Sequence, residues 1–438
     1  MSPSLKEPII QLDDFTLTLG QQNYIPLLVG GMGVDVSTPN LVLTVAHLGG
    51  IAHISDAMLP AVVDRHTGTH FVQDKRAQSH VIVHPETAVS TFDVTAVHAA
   101  TYQYISAVMN RKRGEGGVFL NVMEKLIMGN PRATLTARLI AAMDAGIDGI
   151  TLSAGLHLGT LDLMKSHARF HDIKLGIIVS SARALKLFLH RAAKAERMPD
   201  YIVVEGPHAG GHLGFPCTWY DFDLATIVAE VQQLLAQNSL RIPVIPAGGI
   251  FTGTDAVTFL EGGAAAVQVA TRFTVTEECG LPAAVKQAFF AARPEDVEVN
   301  LLSPTGYPMR MLKGSPAIGS VIAPQCDAYG YGLDQTGACS YRTAYEERRH
   351  LENDSDIPFD KICLCAMMYG YKVWTCGHTV SRLKETSHRL PDGTYQLLTT
   401  EQVFHDYTHS TDQRIELPPH LSGELINSVK QVVGAAVL

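Results

Sequence analysis

The chain is 438 residues long and 46% hydrophobic, and its 34 basic against 43 acidic residues give a net charge of −9. That is enough apolar material for a large core, while the acidic balance gives no general reason to approach phosphate backbones or anionic lipid, so neither nucleic acid nor membrane is an expected partner. No stretch approaches the roughly 18 consecutive apolar residues of a membrane span. The opening MSPSLKEPIIQLDDF lacks the basic and apolar regions of a signal peptide; a soluble, cytoplasmic protein is expected.

In chain order, eight short runs rich in Val and Ile recur at 27–30, 51–55, 118–122, 149–153, 175–179, 201–205, 244–247 and 266–270. Each is near-continuous rather than alternating, as buried parallel strands are when helices cover both faces. Stretches of helical periodicity at 40–48, 134–145, 161–168, 182–195, 222–236 and 253–261 separate them. Segment 56–115 is too long for one connection and predicts an added helix around 96–112. Repeating β-then-α units predict an α/β fold. Glycine and polar residues gather just after the strands: Gly30, Gly31 and Gly33, then Asn121, Ser153, Ser180, the run from Gly206 to Gly214, and Gly248 with Gly249. In a closed (β/α)₈ TIM barrel every strand opens onto one common mouth, which explains decoration at all of them. An open doubly wound sheet needs it only at the switch point. The expected organisation is a barrel over residues 1–292 with an insertion at about 56–115, followed by a cysteine-rich extension over 293–438.

Three motifs carry the chemistry. LLVGGMGV (27–34) has glycines that let the backbone turn and approach a flat ligand. It lacks the third glycine of a dinucleotide fingerprint, and alone it leaves a ligand role and a tight structural turn both open. VVEGPHAGGHLGF (203–215) places four glycines and two histidines after a strand; its glycines clear space, and His212 supplies a base near neutral pH. IPAGGIFTGTDA and AAAVQVATRF end the seventh and eighth strands, whose loops form the usual phosphate site of such barrels. Gly248, Gly249, Ala270 and Thr271 suit that role.

In this order, GGMGV, EGPHAGGHLG, PAGGI and VQVATRF resemble the nitronate monooxygenase (2-nitropropane dioxygenase) superfamily over roughly residues 25–280, and SPTGYPMR at 303–310 is similar to a segment of its longer members. The resemblance implies FMN in the barrel mouth. Its phosphate would lie on Gly248, Gly249, Ala270 and Thr271 near Gln268. Its ring would be lined by Gly31, Met32 and Asn121 with Gly211 near it, Gly33 and Gly210 would be cofactor-binding too, and His212 would be the catalytic base. Ala270 stands where the family has glycine.

Five of the seven cysteines fall in the extension: Cys326, Cys339, Cys363, Cys365 and Cys376. Their spacing is not that of a zinc ribbon, and it leaves iron–sulfur ligands and buried thiols both open. A subgroup of the superfamily, the acyl-ACP dehydrogenase/isomerase type of unsaturated fatty acid synthesis, is similar in its cysteine-rich tail and carries a [4Fe–4S] cluster. The resemblance implies Cys326, Cys339, Cys363 and Cys365 as ligands, with Cys376 as substitute, although the spacing departs from that subgroup's.

The expected activity is therefore flavin-dependent oxidation of a small-molecule or acyl-carrier-protein-bound substrate, an acyl thioester first. Alkyl nitronate oxidation with oxygen, NAD(P)H-dependent enoyl-ACP reduction and a non-catalytic electron-transfer or assembly role are the alternatives. A homodimer is left open.

Overall fold

The computed structural model describes residues 10–79, 93–124, 126–127, 130–329, 331–332, 338–350, 360–410, 414–415 and 417–418. Eight parallel strands close into a barrel: β1 (Leu27–Val29), β2 (Ile51–Ser55), β3 (Gly117–Met123), β4 (Gly149–Ser153), β5 (Lys174–Val179), β6 (Tyr201–Glu205), β7 (Val244–Ala247) and β8 (Val267–Val269). Each pairs with its successor, and β8 returns to β1 through Val267 beside Leu27. All eight expected runs are barrel strands. Continuous apolar runs suit this position because the alternate faces of each strand are both buried, one in the barrel and one beneath the helices.

The barrel interior is a packed core. Leu28, Ile51, Phe119, Tyr201, Val203 and Ile245 fill it, and the same cluster takes in Leu17, Leu19 and Tyr24 from an antiparallel hairpin (Leu17–Leu19 with Gln22–Tyr24). One polar row crosses this core: His53 bonds the Val29 carbonyl at 2.8 Å and Thr151 Oγ1 at 2.7 Å, and Thr151 meets the Tyr201 hydroxyl at 2.5 Å. Every member of that row has a partner, as buried polar groups require.

The outer helices start as their sequences dictate. Thr38, Ser181, Asp223 and Thr252 each accept a bond from the first helical turn that follows, which satisfies amides that have no partner inside the helix. The expected added helix is Val94–Met109, capped by Asp93; part of the insertion around it lies outside the described residues. One expectation is corrected. The helix read over 161–168 spans only Thr160–Met164. Beyond it, His167 bonds Asp144 at 3.0 Å and Arg169 donates to the Met143 and Ile147 carbonyls, so side-chain bonds to the neighbouring helix end hold turns where a further helical turn was expected.

After Ala291 the chain forms two strands, Val297–Asn300 and Met309–Leu312, which pair with each other. Met309–Leu312 also pairs with the two-residue strand Gly211–His212 in the loop after β6. Helix Thr400–His409 lies far along the chain but packs between helix Pro39–His47, which follows β1, and helix Gly253–Glu261, which follows β7. It thus occupies the outer place next to β8. Arg272, just past β8, reaches Asp406 on it at 2.5 Å with both side chains buried, and Phe273 stacks on Tyr407. Among the described residues no helix is long and apolar enough to cross a membrane.

Candidate active site at the barrel mouth

Side chains alternate along a strand, so residues two beyond the core layer face the mouth. Asn121 follows Phe119 in this way, Glu205 follows Val203, and Gly30 follows Leu28. Gln268, the middle residue of β8, lies in register between Leu28 and Ala247, and its Oε1 is buried with no hydrogen-bond partner among the described residues. A buried amide oxygen left so is costly unless a ligand meets it. Burial raises the Glu205 carboxyl to about 7 against the opposing pull of Arg310. The glycines of the first motif answer to this layer. A Cβ on Gly31 would stand 2.5 Å from Asn121 Cβ, and one on Gly33 would stand 2.7 Å from Ala57 Cβ, so neither position accepts a side chain.

The turn after β7 has left-handed backbone at Gly248 (φ 105°) and Gly249 (φ 87°), which glycine adopts without strain. Added Cβ atoms there would sit 2.9 Å from the Ala209 amide nitrogen and 3.0 Å from His208 Cβ; the turn after β6 lies directly over it. Ala270 precedes a short helical turn, Thr271–Val275. The extension completes the outside of this pocket. Gly377 packs on Thr271 Oγ1, Gly210 packs on the backbone of Cys376, and the His378 amide donates to the His208 carbonyl at 3.1 Å. The His208 and His378 rings stack at 4.5 Å. Arg310 is buried beneath them, donating to the Pro207 and Ala209 carbonyls at 2.7 and 2.5 Å with its guanidinium over the Trp219 ring. Burial and the Arg310 charge lower His208, and burial, His208 and Arg310 together lower His378 to about 4.

His212 stands on the short strand held by Met309–Leu312. Its Nε2 meets Ser303 Oγ at 2.7 Å; Nδ1 has no partner among the described residues. Burial alone lowers its pKa to about 4, and among the described residues no carboxylate bonds the ring. The ring is therefore neutral across the physiological range, and a weak base.

The expected FMN residues thus share one end of the barrel: Gly31, Met32 and Gly33 after β1, Asn121 on β3, Gly210 and Gly211 after β6, Gly248 and Gly249 after β7, and Gln268, Ala270 and Thr271 at β8. The left-handed glycine turn at Gly248 and Gly249 and the Gln268 oxygen, unpartnered among the described residues, suit a phosphate-bearing ligand. Sequence reasoning gave Glu205, Ser303, Arg310 and His378 no role. Ser303 and Arg310 lie in the SPTGYPMR segment, which was a signal without a partner.

Of the cysteines, Cys326 and Cys339 are hydrogen-bonded to each other, and Cys363 and Cys365 lie close enough to act electrostatically on Cys326. The Cys326 thiol is pushed up by that bond and by burial. Cys339 is drawn down to about 7 by the same bond and by amides at the start of helix Ser340–His350. Cys376 is apart from them, buried beside Arg310. Among the described residues no three or more His, Cys, Asp or Glu side chains are grouped to hold a metal ion.

The nitronate monooxygenase family model matches residues 136–325. A nitronate monooxygenase of Pseudomonas aeruginosa is 27% identical over 74% of this chain and 87% of its own length. A putative monooxygenase of Mycobacterium tuberculosis is 33% identical over 33% of this chain, and the match spans only 34% of that protein. Among solved structures, FabK from Thermotoga maritima aligns over 94% of this chain and 95% of its own with a TM-score of 0.53 at 16% identity, a likeness of fold. With the family model, the Pseudomonas relative and the closed barrel in agreement, this chain is a flavin-dependent oxidoreductase related to the nitronate monooxygenases.

Proposed function

We propose that the chain binds FMN in the barrel mouth and oxidises alkyl nitronates with molecular oxygen as the final acceptor. The observation that carries this reading is the environment of His212: a ring kept neutral by burial and bonded to a hydroxyl, with no carboxylate on it among the described residues. Such a ring is a poor base for a neutral carbon acid, whereas a nitronate has already lost its proton and arrives as an anion. Gly248, Gly249, Ala270 and Thr271 would hold the cofactor's phosphate, and Gly31, Met32, Gly33, Asn121, Gly210, Gly211 and Gln268 would hold its ring system. When bound, FMN supplies the capacity to take up two electrons and pass them to oxygen. The protein's own share is to orient the anion beneath His212 and to shield the site from water through the extension at 376–378.

A second reading, an acyl thioester substrate with a [4Fe–4S] cluster on Cys326, Cys339, Cys363 and Cys365, draws on the Cys326–Cys339 bond and the nearby charge of the other two, since thiolates are the donors such a cluster takes; among the described residues the four are not grouped to hold a metal. One experiment separates the two. Protein purified without oxygen is assayed for flavin, iron and sulfide, then mixed with a primary nitronate or a medium-chain acyl thioester. Flavin bleaching by the nitronate without iron supports the first reading. Bleaching by the thioester with about four irons supports the second. Absence of flavin overturns both.

A further inference from the structure

The group that bonds His212 is itself part of a row. Ser303 Oγ, 2.7 Å from His212 Nε2, is also 2.7 Å from Thr305 Oγ1. Two backbone amides enter the row: Thr305 N–H donates to Ser303 Oγ at 3.3 Å, and Tyr307 N–H donates to Thr305 Oγ1 at 3.4 Å. Each hydroxyl has one proton to give and two lone pairs to fill. Among the described residues the Thr305 hydroxyl has one acceptor, Ser303 Oγ. If it uses that acceptor, both lone pairs on Ser303 Oγ are filled, one by the Thr305 amide and one by the Thr305 hydroxyl. The Ser303 proton then has one destination, the lone pair of His212 Nε2. The opposite direction leaves the Thr305 proton without an acceptor at a site where Ser303 is 0% and Thr305 6% exposed, and an unmade bond is penalised there.

From this count we propose that Ser303, backed by Thr305, holds His212 as the Nδ1–H tautomer, so that the ring presents a proton to the open site and binds an anionic substrate as a hydrogen-bond donor. Ser303 is then a positioning residue acting through His212. The backbone supports the arrangement: Gly306 N–H closes the turn onto the Ser303 carbonyl, and Leu213 N–H bonds the Pro308 carbonyl, so the SPTGYP turn and the His212 strand are locked in register. A neutral donor suits a nitronate, whose oxygens carry the charge. The substrate half of the inference rests on the nitronate reading; the tautomer half does not.

The test uses holoenzyme labelled with ¹⁵N-histidine, whose ring nitrogens and carbon-bound protons are correlated by NMR; the His212 set is the one lost in His212→Asn. The expected wild-type pattern is a protonated Nδ1 and a bare Nε2. Ser303→Ala should release that preference and raise the KM for a primary nitronate about tenfold, as loss of an oriented bond to an anion does, with flavin content unchanged. Ser303→Thr, which restores the hydroxyl, should return both towards wild type. A protonated Nε2 in the wild type overturns the proposal, as does Ser303→Ala with tautomer and KM both unmoved. Wild-type enzyme that shows Nδ1–H yet oxidises no nitronate leaves the tautomer standing and removes the substrate reading.

Discussion

His212 is half-buried, bonded to one hydroxyl, and placed next to Gly211, beside which space is open. Replacing it with alanine should leave flavin bound and reduce turnover by about a hundredfold or more, the range of a positioned donor or base; flavin absorbance and oxygen uptake on the same sample check this. Near-normal turnover would remove His212 from the chemistry. His212 and the fully buried His53 also make stability depend on pH. Both rings titrate near 6.5 in an unfolded chain and near 4 when folded, because burial disfavours their charged form. Between those values the unfolded state binds more protons, so stability is intact above about 6.5 and falls as pH drops towards 4. The urea midpoint should therefore be lower at pH 4.5 than at pH 7.5, and His53→Gln should flatten the difference. At this scale the sequence was partly legible. His212 stood out from 19 histidines because a glycine-rich loop after a strand surrounds it. Ser303 did not, because 91 residues separate the two and a hydroxyl has no sequence signature that tells which histidine it will meet.

The strands were legible for a simple reason: burial on both faces demands unbroken apolar runs, and few other elements do. Helix ends were less so, since the turn after Met164 is held by Arg169 and His167 reaching to another helix, which periodicity cannot reveal. The loops after β6, β7 and β8 form one layered unit in which Gly249 lies under His208 and Thr271 under Gly377. Gly249→Leu places a side chain where backbone is left-handed and His208 already stands. Flavin occupancy on purification should fall severalfold or more while the barrel still folds, measurable as the ratio of flavin to protein absorbance. Full occupancy would move the phosphate elsewhere. In the same layer, His378→Ala removes the ring stacked on His208; weaker flavin retention on dialysis would show that the extension helps hold the cofactor, and unchanged retention would reduce the stack to packing.

Across the whole molecule, the least legible feature was that the far end of the chain belongs to the barrel wall. Composition shifts after residue 292, and the reading of an appended extension followed from that shift. An extension that packs on the barrel was the expectation, and helix Thr400–His409 packs closely indeed: it sits between the helices following β1 and β7, with Phe404 against Gly50 and Asp406 paired with Arg272 in the interior. Removing one partner of a buried pair costs about 3–5 kcal/mol because the other charge is stranded. Asp406→Ala should therefore lower Tm by several degrees or more, and a chain ending at residue 398 should lose the barrel's cooperative melt. A stable, flavin-loaded truncation would show the helix to be dispensable.

The late arrival of that helix also governs how the protein can be born. All eight barrel strands precede it in the chain, so during synthesis the place between the helices following β1 and β7 can be filled only after residues 400–409 have been made.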